Sequence, residues 1–344
     1  MTSLEGSSSL PRALAIVGPT ASGKSRLALW LAARLGLPVL CCDSVQVYRG
    51  LDIGSAKPDA ALRARVPHRL IDLAAPDEAF SAGDYAAAAL RELGAGPGLF
   101  AGGTGFYLRA AAFTHSGEDI GDADEPGRAA FTAQWEARER ESPGSVHAAL
   151  TRADPATAAS IHPRNVVRAL RALWLCEAHG QPVSLVRAAD PPRARVALVL
   201  VILDPPAALL GPAIDARCDA MMRAGFLAEV EMLREAGYSA RHKSMRSLGY
   251  RQLDAYLEER AHHDHHHDRQ GGLARVVAAI KAETRSYARR QRTYFRHQLA
   301  GGVAEGVALR FNVDAPLWEP AVDLSRETAP WLARVEAFLS GVSQ

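Results

Sequence analysis

The chain has no apolar run near the roughly 18 residues that a membrane-spanning helix needs. Its opening segment, MTSLEGSSSLPR, lacks the apolar centre of a secretory signal. The expectation is a cytoplasmic protein with no membrane contact. Cysteine is equally sparse, with Cys41, Cys42, Cys176 and Cys218 in 344 residues. Adjacent cysteines rarely pair, and no C-x-x-C spacing occurs, so neither a disulfide framework nor a zinc site is indicated. Neither sign of charge dominates: 40 Lys and Arg against 38 Asp and Glu leave a net +2. No global field announces nucleic acid, so any such surface has to be local. What remains, 48% hydrophobic and 23% charged residues, is the make-up of a globular protein with a full core. The length admits two domains or one large one.

The most informative stretch is Gly18-Pro19-Thr20-Ala21-Ser22-Gly23-Lys24-Ser25. It fits G-x-x-x-x-G-K-S/T at every fixed position. Ala13–Val17 before it is apolar and reads as a buried strand. Arg26–Leu35 after it has helical spacing. Strand, glycine loop and helix in that order make a phosphate cradle from loop amides and a helix N-terminus. Lys24 adds a full charge there, and Ser25 offers a hydroxyl to Mg²⁺. The alternative is a chance glycine turn; the flanking strand and helix weigh against it. The loop alone names neither the phosphate compound nor its fate.

Strand candidates recur at Val39–Cys42, His68–Asp72, Gly98–Gly103 and Val196–Leu203, with a helix at Ala82–Leu93. The alternation predicts an α/β fold: a parallel sheet with helices on both faces and ligands at the strand C-termini. Between Thr114 and Pro192 strand signals vanish, and helices are expected at 129–141, 145–151, 155–161 and 166–179. Longer helices are expected at Ile214–Glu235 and Arg275–Leu299. The predicted organisation is a tail at 1–12, a core at 13–113 and 194–320, a helical insertion at 114–193, and a C-terminal helix at 321–344.

Several clusters bear chemistry. Asp43-Ser44-Val45-Gln46 directly follows the second strand, beside the phosphate loop. Asp43 there could hold Mg²⁺ through water, act as a general base, or merely cap a turn. Gly102-Gly103-Thr104-Gly105 is a second glycine turn that could reach the same ligand. Lys281, Arg285, Arg289, Arg290, Arg292 and Arg296 lie close together, with Tyr287, Tyr294 and Phe295 interleaved. Arg285, Arg289, Arg292 and Arg296 share one helical face, which suits a phosphate backbone; equally, it is an amphipathic helix with its aromatics in the core. Arg164, Arg168 and Arg171, and Arg246 and Arg251, form smaller basic groups. The tract His262–His267 is rich enough in histidine to bind metal, but reads better as a solvated loop.

Together these residues resemble the tRNA dimethylallyltransferases. The resemblance rests on GPTASGKS, on Asp43 to Pro58 (DSVQVYRGLDIGSAKP) and on Gly102–Leu108 (GGTGFYL). It extends to Asp154-Pro155 with Arg168, to Ile214, Arg217 and Met221 with Gly225, to Arg246–Gln252, and to Thr284-Arg285 with Arg289–Arg292. It covers about residues 13–300. It implies a phosphate-loop core and a tRNA-binding insertion. It also implies transfer of a dimethylallyl group to the adenosine 3′ to the anticodon. Gly18–Ser25 would then hold dimethylallyl diphosphate, not ATP. Asp43 would be the general base, with Thr20, Lys24 and Arg217 serving the diphosphate and Mg²⁺ on Ser25. The tRNA anticodon stem-loop would meet Asp43, Ser44, Val45 and Gln46, Thr104, and Val167, Arg168, Ala169, Leu170 and Arg171. It would also meet Arg246, Ser247, Leu248, Gly249, Tyr250 and Arg251, and Arg285, Arg289 and Arg292. A monomer is expected. Asn165 stands where the family usually has Asp, and Ser25 where Thr is commoner. A phosphate-loop kinase of small molecules is the rival reading, though it leaves the Arg-rich helix without a role.

Overall fold

The computed structural model describes residues 10–114, 127–262, 269–297 and 307–341. Six strands form one sheet: β1 (Arg12–Val17), β2 (Val39–Cys41), β3 (His68–Arg69), β4 (Gly98–Gly102), β5 (Ala197–Leu203) and β6 (Val307–Val313). Their order is β3-β2-β4-β1-β5-β6, and every neighbouring pair is parallel. The sequence explains the arrangement. Successive residues of β5, from Leu198 to Leu203, are all buried, so both faces of the sheet are covered. An unbroken apolar strand is what a doubly covered parallel sheet demands. The expected α/β class is the one observed.

Register sets up the site. Val17 pairs with Gly102 on one side and Ile202 on the other. Strands β1, β4 and β5 therefore end together. From β1 the chain crosses to β2 on one side, and later returns to β5 on the other. A crevice opens beyond the strand C-termini at such a reversal.

The core between sheet and helices joins Leu14, Ile16, Val199 and Val201 to Leu27 and Leu31 of helix Lys24–Leu35. The terminal helix, expected at 321–344, spans Leu324–Ser340 and adds Trp331, Leu332 and Val335 to that same core. By its contacts the chain divides into two compact units. One comprises residues 1–112 with 194–344, the other Phe113–Arg193. The second has a core of its own, with Val146, Leu150, Leu175 and Val183 fully buried.

Three elements differ from expectation. The helix expected over Ile214–Glu235 is two, Ala207–Arg223 and Phe226–Glu235. Gly225 between them has φ 100°, a left-handed conformation that ends one helix and opens the next. The basic helix starts earlier, spanning Arg269–His297. Strand β6 was not foreseen, because it alternates half-buried and exposed residues along an edge of the sheet. The expected tail lies mostly outside the described residues, and β1 already begins at Arg12. Of the histidine tract, His262 ends helix Tyr250–His262, and the rest lies outside the described residues.

Candidate active site

A cavity of about 890 Å³ opens at the strand C-termini of the larger unit. Thr20–Ser25 of the phosphate loop line it. Asp43–Gln46, Gly102-Gly103, Arg217, Ser247–Gly249, Tyr287 and Gln291 line the rest. The loop's shape follows from its glycines. A Cβ at Gly18 would overlap the Leu203 carbonyl, and Gly18 has φ 154°. Gly23 has φ 87° and precedes helix Lys24–Leu35, whose first amides face the loop. Ala21 is left-handed at φ 61°, an unusual state for a residue with a Cβ.

The electrostatics favour an anion. Lys24 donates to the Pro19 carbonyl at 2.6 Å. Burial drives its amine down to about 7, Arg217 pushes the same way, and Asp43 opposes them. Arg217 is also lowered, chiefly by burial, with Asp43 again opposing. Two buried cations near one carboxylate lack a full counter-charge. The buried Ser22 hydroxyl has no partner among the described residues. An oligophosphate would supply both the charge and the acceptor.

A pH dependence follows. A bound anion raises the Lys24 value, so binding takes up a proton above about pH 7. The affinity for inorganic pyrophosphate, measured calorimetrically without metal, should fall as pH rises from about 7 to about 9. The loss approaches tenfold per pH unit, and Lys24→Arg should flatten it.

Asp43 stands just past β2. Its Oδ1 accepts the Val45 amide at 2.8 Å and the Gln46 amide at 3.3 Å. The capping role is therefore real, and the carboxylate still lines the cavity. Thr104 is tied to the same turn: its Oγ1 accepts the Ser44 amide at 3.1 Å, and its own amide donates to the Cys42 carbonyl at 3.2 Å. Ala213, Ala216, Met221, Phe226 and Ile280 give the cavity an apolar lining.

A family model described as IPP transferase matches residues 46–298, and one described as isopentenyl transferase matches residues 11–67. The chain belongs to the IPP transferase family. The chain is 43% identical over 289 residues to the tRNA dimethylallyltransferase of Roseiflexus sp. (strain RS-1), covering 82% of this chain and 89% of the relative. It is 39% identical over 302 residues to tRNA dimethylallyltransferase 1 of Trichlorobacter lovleyi, covering 84% and 92%. Among solved structures, the full-length tRNA isopentenylpyrophosphate transferase of Bacillus halodurans matches it with a TM-score of 0.62. That match has 28% identity and covers 96% of this chain and 98% of the other.

Not every residue expected at a tRNA surface reaches the surface. The Tyr250 ring is fully buried, and its hydroxyl donates to Glu229 at 2.6 Å. Glu229 also accepts the amides of Asp52, Ile53 and Gly54, so Tyr250 secures the 52–54 loop rather than contacting RNA. Ala169 and Leu170 are buried in the second unit's own core, while Val167 on the same helix is 80% exposed. Asn165 caps that helix by accepting the Arg168 amide, a task its amide oxygen performs as a carboxylate would.

The basic helix needs the largest correction. Arg292 pairs with Asp204 at 2.6 Å, and Arg296 reaches the same carboxylate at 2.5 Å. Arg285 pairs with Asp215, and Lys281 with Asp219 at 2.6 Å. These acids come from other segments and pair the cations of the expected phosphate-facing face, of which Arg292 is mostly buried, Arg285 half-buried and Arg296 exposed. Arg289 and Arg290 stay exposed. Arg292→Ala should therefore lower stability by on the order of 2 kcal/mol, less than for a wholly buried pair because Arg296 still meets Asp204. Thermal unfolding should show a drop of several degrees, whereas an unchanged midpoint would remove Arg292 from the scaffold.

The helix also brings residues that spacing did not reveal. Gln291 and Tyr287 face the cavity. Burial and then Asp43 push the Tyr287 phenol up to about 12, so it stays protonated. Gln291 stood within the family motif, but nothing in its neighbours showed what it would touch.

Proposed function

We propose that the chain transfers a dimethylallyl group from dimethylallyl diphosphate to the exocyclic amine of the adenosine 3′ to the anticodon of tRNA, releasing diphosphate. The observation that carries this reading is one cavity in which a phosphate loop, two cations, a carboxylate and an apolar lining meet. The phosphate loop takes the diphosphate. The apolar lining suits the prenyl tail, which a kinase would not need. Asp43 accepts the amine proton as nitrogen bonds to the allylic carbon. The carbon–oxygen bond to the diphosphate breaks, and its electron pair leaves on oxygen. Lys24, Arg217 and the loop amides, in the segment that Thr20 opens, meet that growing charge. The adenine must leave the anticodon stack to enter the cavity, as in other enzymes that act on a base.

Mg²⁺ fits the residues present. Ser25 and Asp43 offer hard oxygens, and among the described residues no cluster of His, Cys, Asp or Glu forms a cage. Such a site suits an ion that keeps waters and phosphate oxygens as ligands. When bound, Mg²⁺ neutralises diphosphate charge.

Contacts to the anticodon stem-loop fall to Ser44, Val45, Gln46, Thr104 and Ser247–Gly249 at the cavity. Arg289 with Arg290 serves the backbone, as do Arg168 and Arg171 of the second unit, with Val167 an apolar contact on the same helix; Arg251 is paired with Glu283, and Arg246 donates to the Ala240 and Arg241 carbonyls. We infer action as a monomer in the cytoplasm, the setting in which its tRNA substrate would be met. Labelled dimethylallyl diphosphate, Mg²⁺ and tRNA should give prenylated tRNA. Transfer of phosphate from ATP to small acceptors, with no prenyl transfer, would decide for the kinase. Arg289→Ala with Arg290→Ala should lower the slope of log tRNA affinity against log salt by about 0.7–0.9 per lost phosphate contact. An unchanged slope would put the backbone contacts elsewhere.

A further inference from the structure

One side chain joins the two glycine turns of the cavity. Gln291 is 6% exposed. Its Oε1 accepts the Thr20 amide at 2.8 Å, and its Nε2 donates to the Gly103 carbonyl at 2.9 Å. Both ends of the carboxamide are used, one as acceptor and one as donor. The fit is close, because a Cβ at Gly103 would overlap Nε2.

We propose that Gln291 is a positioning residue for group transfer, locking the phosphate loop to the Gly102–Gly105 turn and so setting the donor against the acceptor amine. The proposal rests on the prenyl-transfer reading given above. On the donor side, Gln291 holds the amide just before Ala21, whose left-handed backbone needs its neighbours to sustain it. On the acceptor side, the Gly103 turn carries Thr104, which is bonded to Ser44 and to the carbonyl of Cys42. Asp43 lies between those two residues. A continuous line of hydrogen bonds thus runs from the diphosphate site to the base site, and Gln291 is the link between their backbones. Its helix is anchored next door, where Arg292 grips Asp204. A side chain on a pinned helix holds two loops more tightly than the loops hold each other.

The test compares Gln291→Ala and Gln291→Glu with the parent enzyme. Gln291→Glu keeps the shape and the acceptor for Thr20, but sets an oxygen against the Gly103 carbonyl. Both variants should lose kcat on the order of 10²-fold, the cost of small misplacement of reacting groups. KM for tRNA and for dimethylallyl diphosphate should stay within about threefold. Gln291→Glu should keep its fold, judged by circular dichroism. Hydrogen exchange across 18–23 should quicken in Gln291→Ala, and less in Gln291→Glu, which keeps the Thr20 acceptor. Parent-like kcat in both variants would overturn the proposal, and so would a loss confined to KM for tRNA. A kcat loss in Gln291→Ala alone, with Gln291→Glu like the parent, would leave only the Thr20 bond important and refute the link to Gly103. If the parent enzyme transfers no prenyl group, the functional reading fails. The exchange rates still decide whether Gln291 holds the loop.

Discussion

Asp43→Ala should cut prenyl transfer by about 10²–10⁴-fold, the usual worth of a general base. The structure adds a complication that the experiment has to separate. Asp43 Oδ1 also holds the turn amides of Val45 and Gln46. Alanine removes the base and the cap together. Asp43→Asn keeps an acceptor for the turn while removing the proton acceptor. If the chemistry is at fault, both variants lose kcat alike and tRNA affinity changes little. If the turn is at fault, Asp43→Asn recovers most of the activity. Pyrophosphate affinity gives a second reading. The carboxylate sits near two buried cations, so its removal should leave pyrophosphate binding intact or tighter. Near-parent turnover in Asp43→Asn would end the general-base assignment.

The parts of this site that were legible in the sequence are those built by short segments. The phosphate loop needs eight successive residues, and their spacing alone dictates a cradle of amides. Asp43 was legible for the same reason, coming directly after a recognisable strand. Gln291 was not. It meets Thr20 across 271 residues, and no local pattern encodes that approach. The basic helix shows the opposite error. Its period did place arginines on one face, but period cannot say whether that face meets solvent or the fold. The deciding partners, Asp204 and Asp215, lie on distant segments. Tyr250 misled in a similar way: beside Arg246 and Arg251 it reads as a surface residue, yet its ring is buried against Phe226 and its hydroxyl satisfies Glu229. Gly225 could have warned of the break in the long helix, since glycine marks such ends.

Lys24→Ala and Arg217→Ala should each cripple turnover by another route. Both cations are buried, and Arg217 weakens the hold of Lys24 on its proton. Neither benefits much from water, so each depends on the arriving diphosphate. As the carbon–oxygen bond breaks, charge concentrates on the leaving oxygens, and a fixed cation is worth more there than in the ground state. Loss of one such group costs on the order of 3 kcal/mol, or about 10²-fold in kcat. The two substitutions should differ in their side effects. Lys24 also donates to the Pro19 carbonyl, so Lys24→Ala should loosen the loop and raise KM for the donor as well. Arg217 comes from helix Ala207–Arg223, so Arg217→Ala should act mainly on kcat. Arg217→Lys should restore part of the loss, because it returns charge without the planar fork. Steady-state kinetics with dimethylallyl diphosphate and tRNA separate these outcomes. Unchanged kcat in Arg217→Ala would remove that cation from the leaving group. An effect on ATP turnover, with prenyl transfer untouched, would move the whole site to the kinase reading.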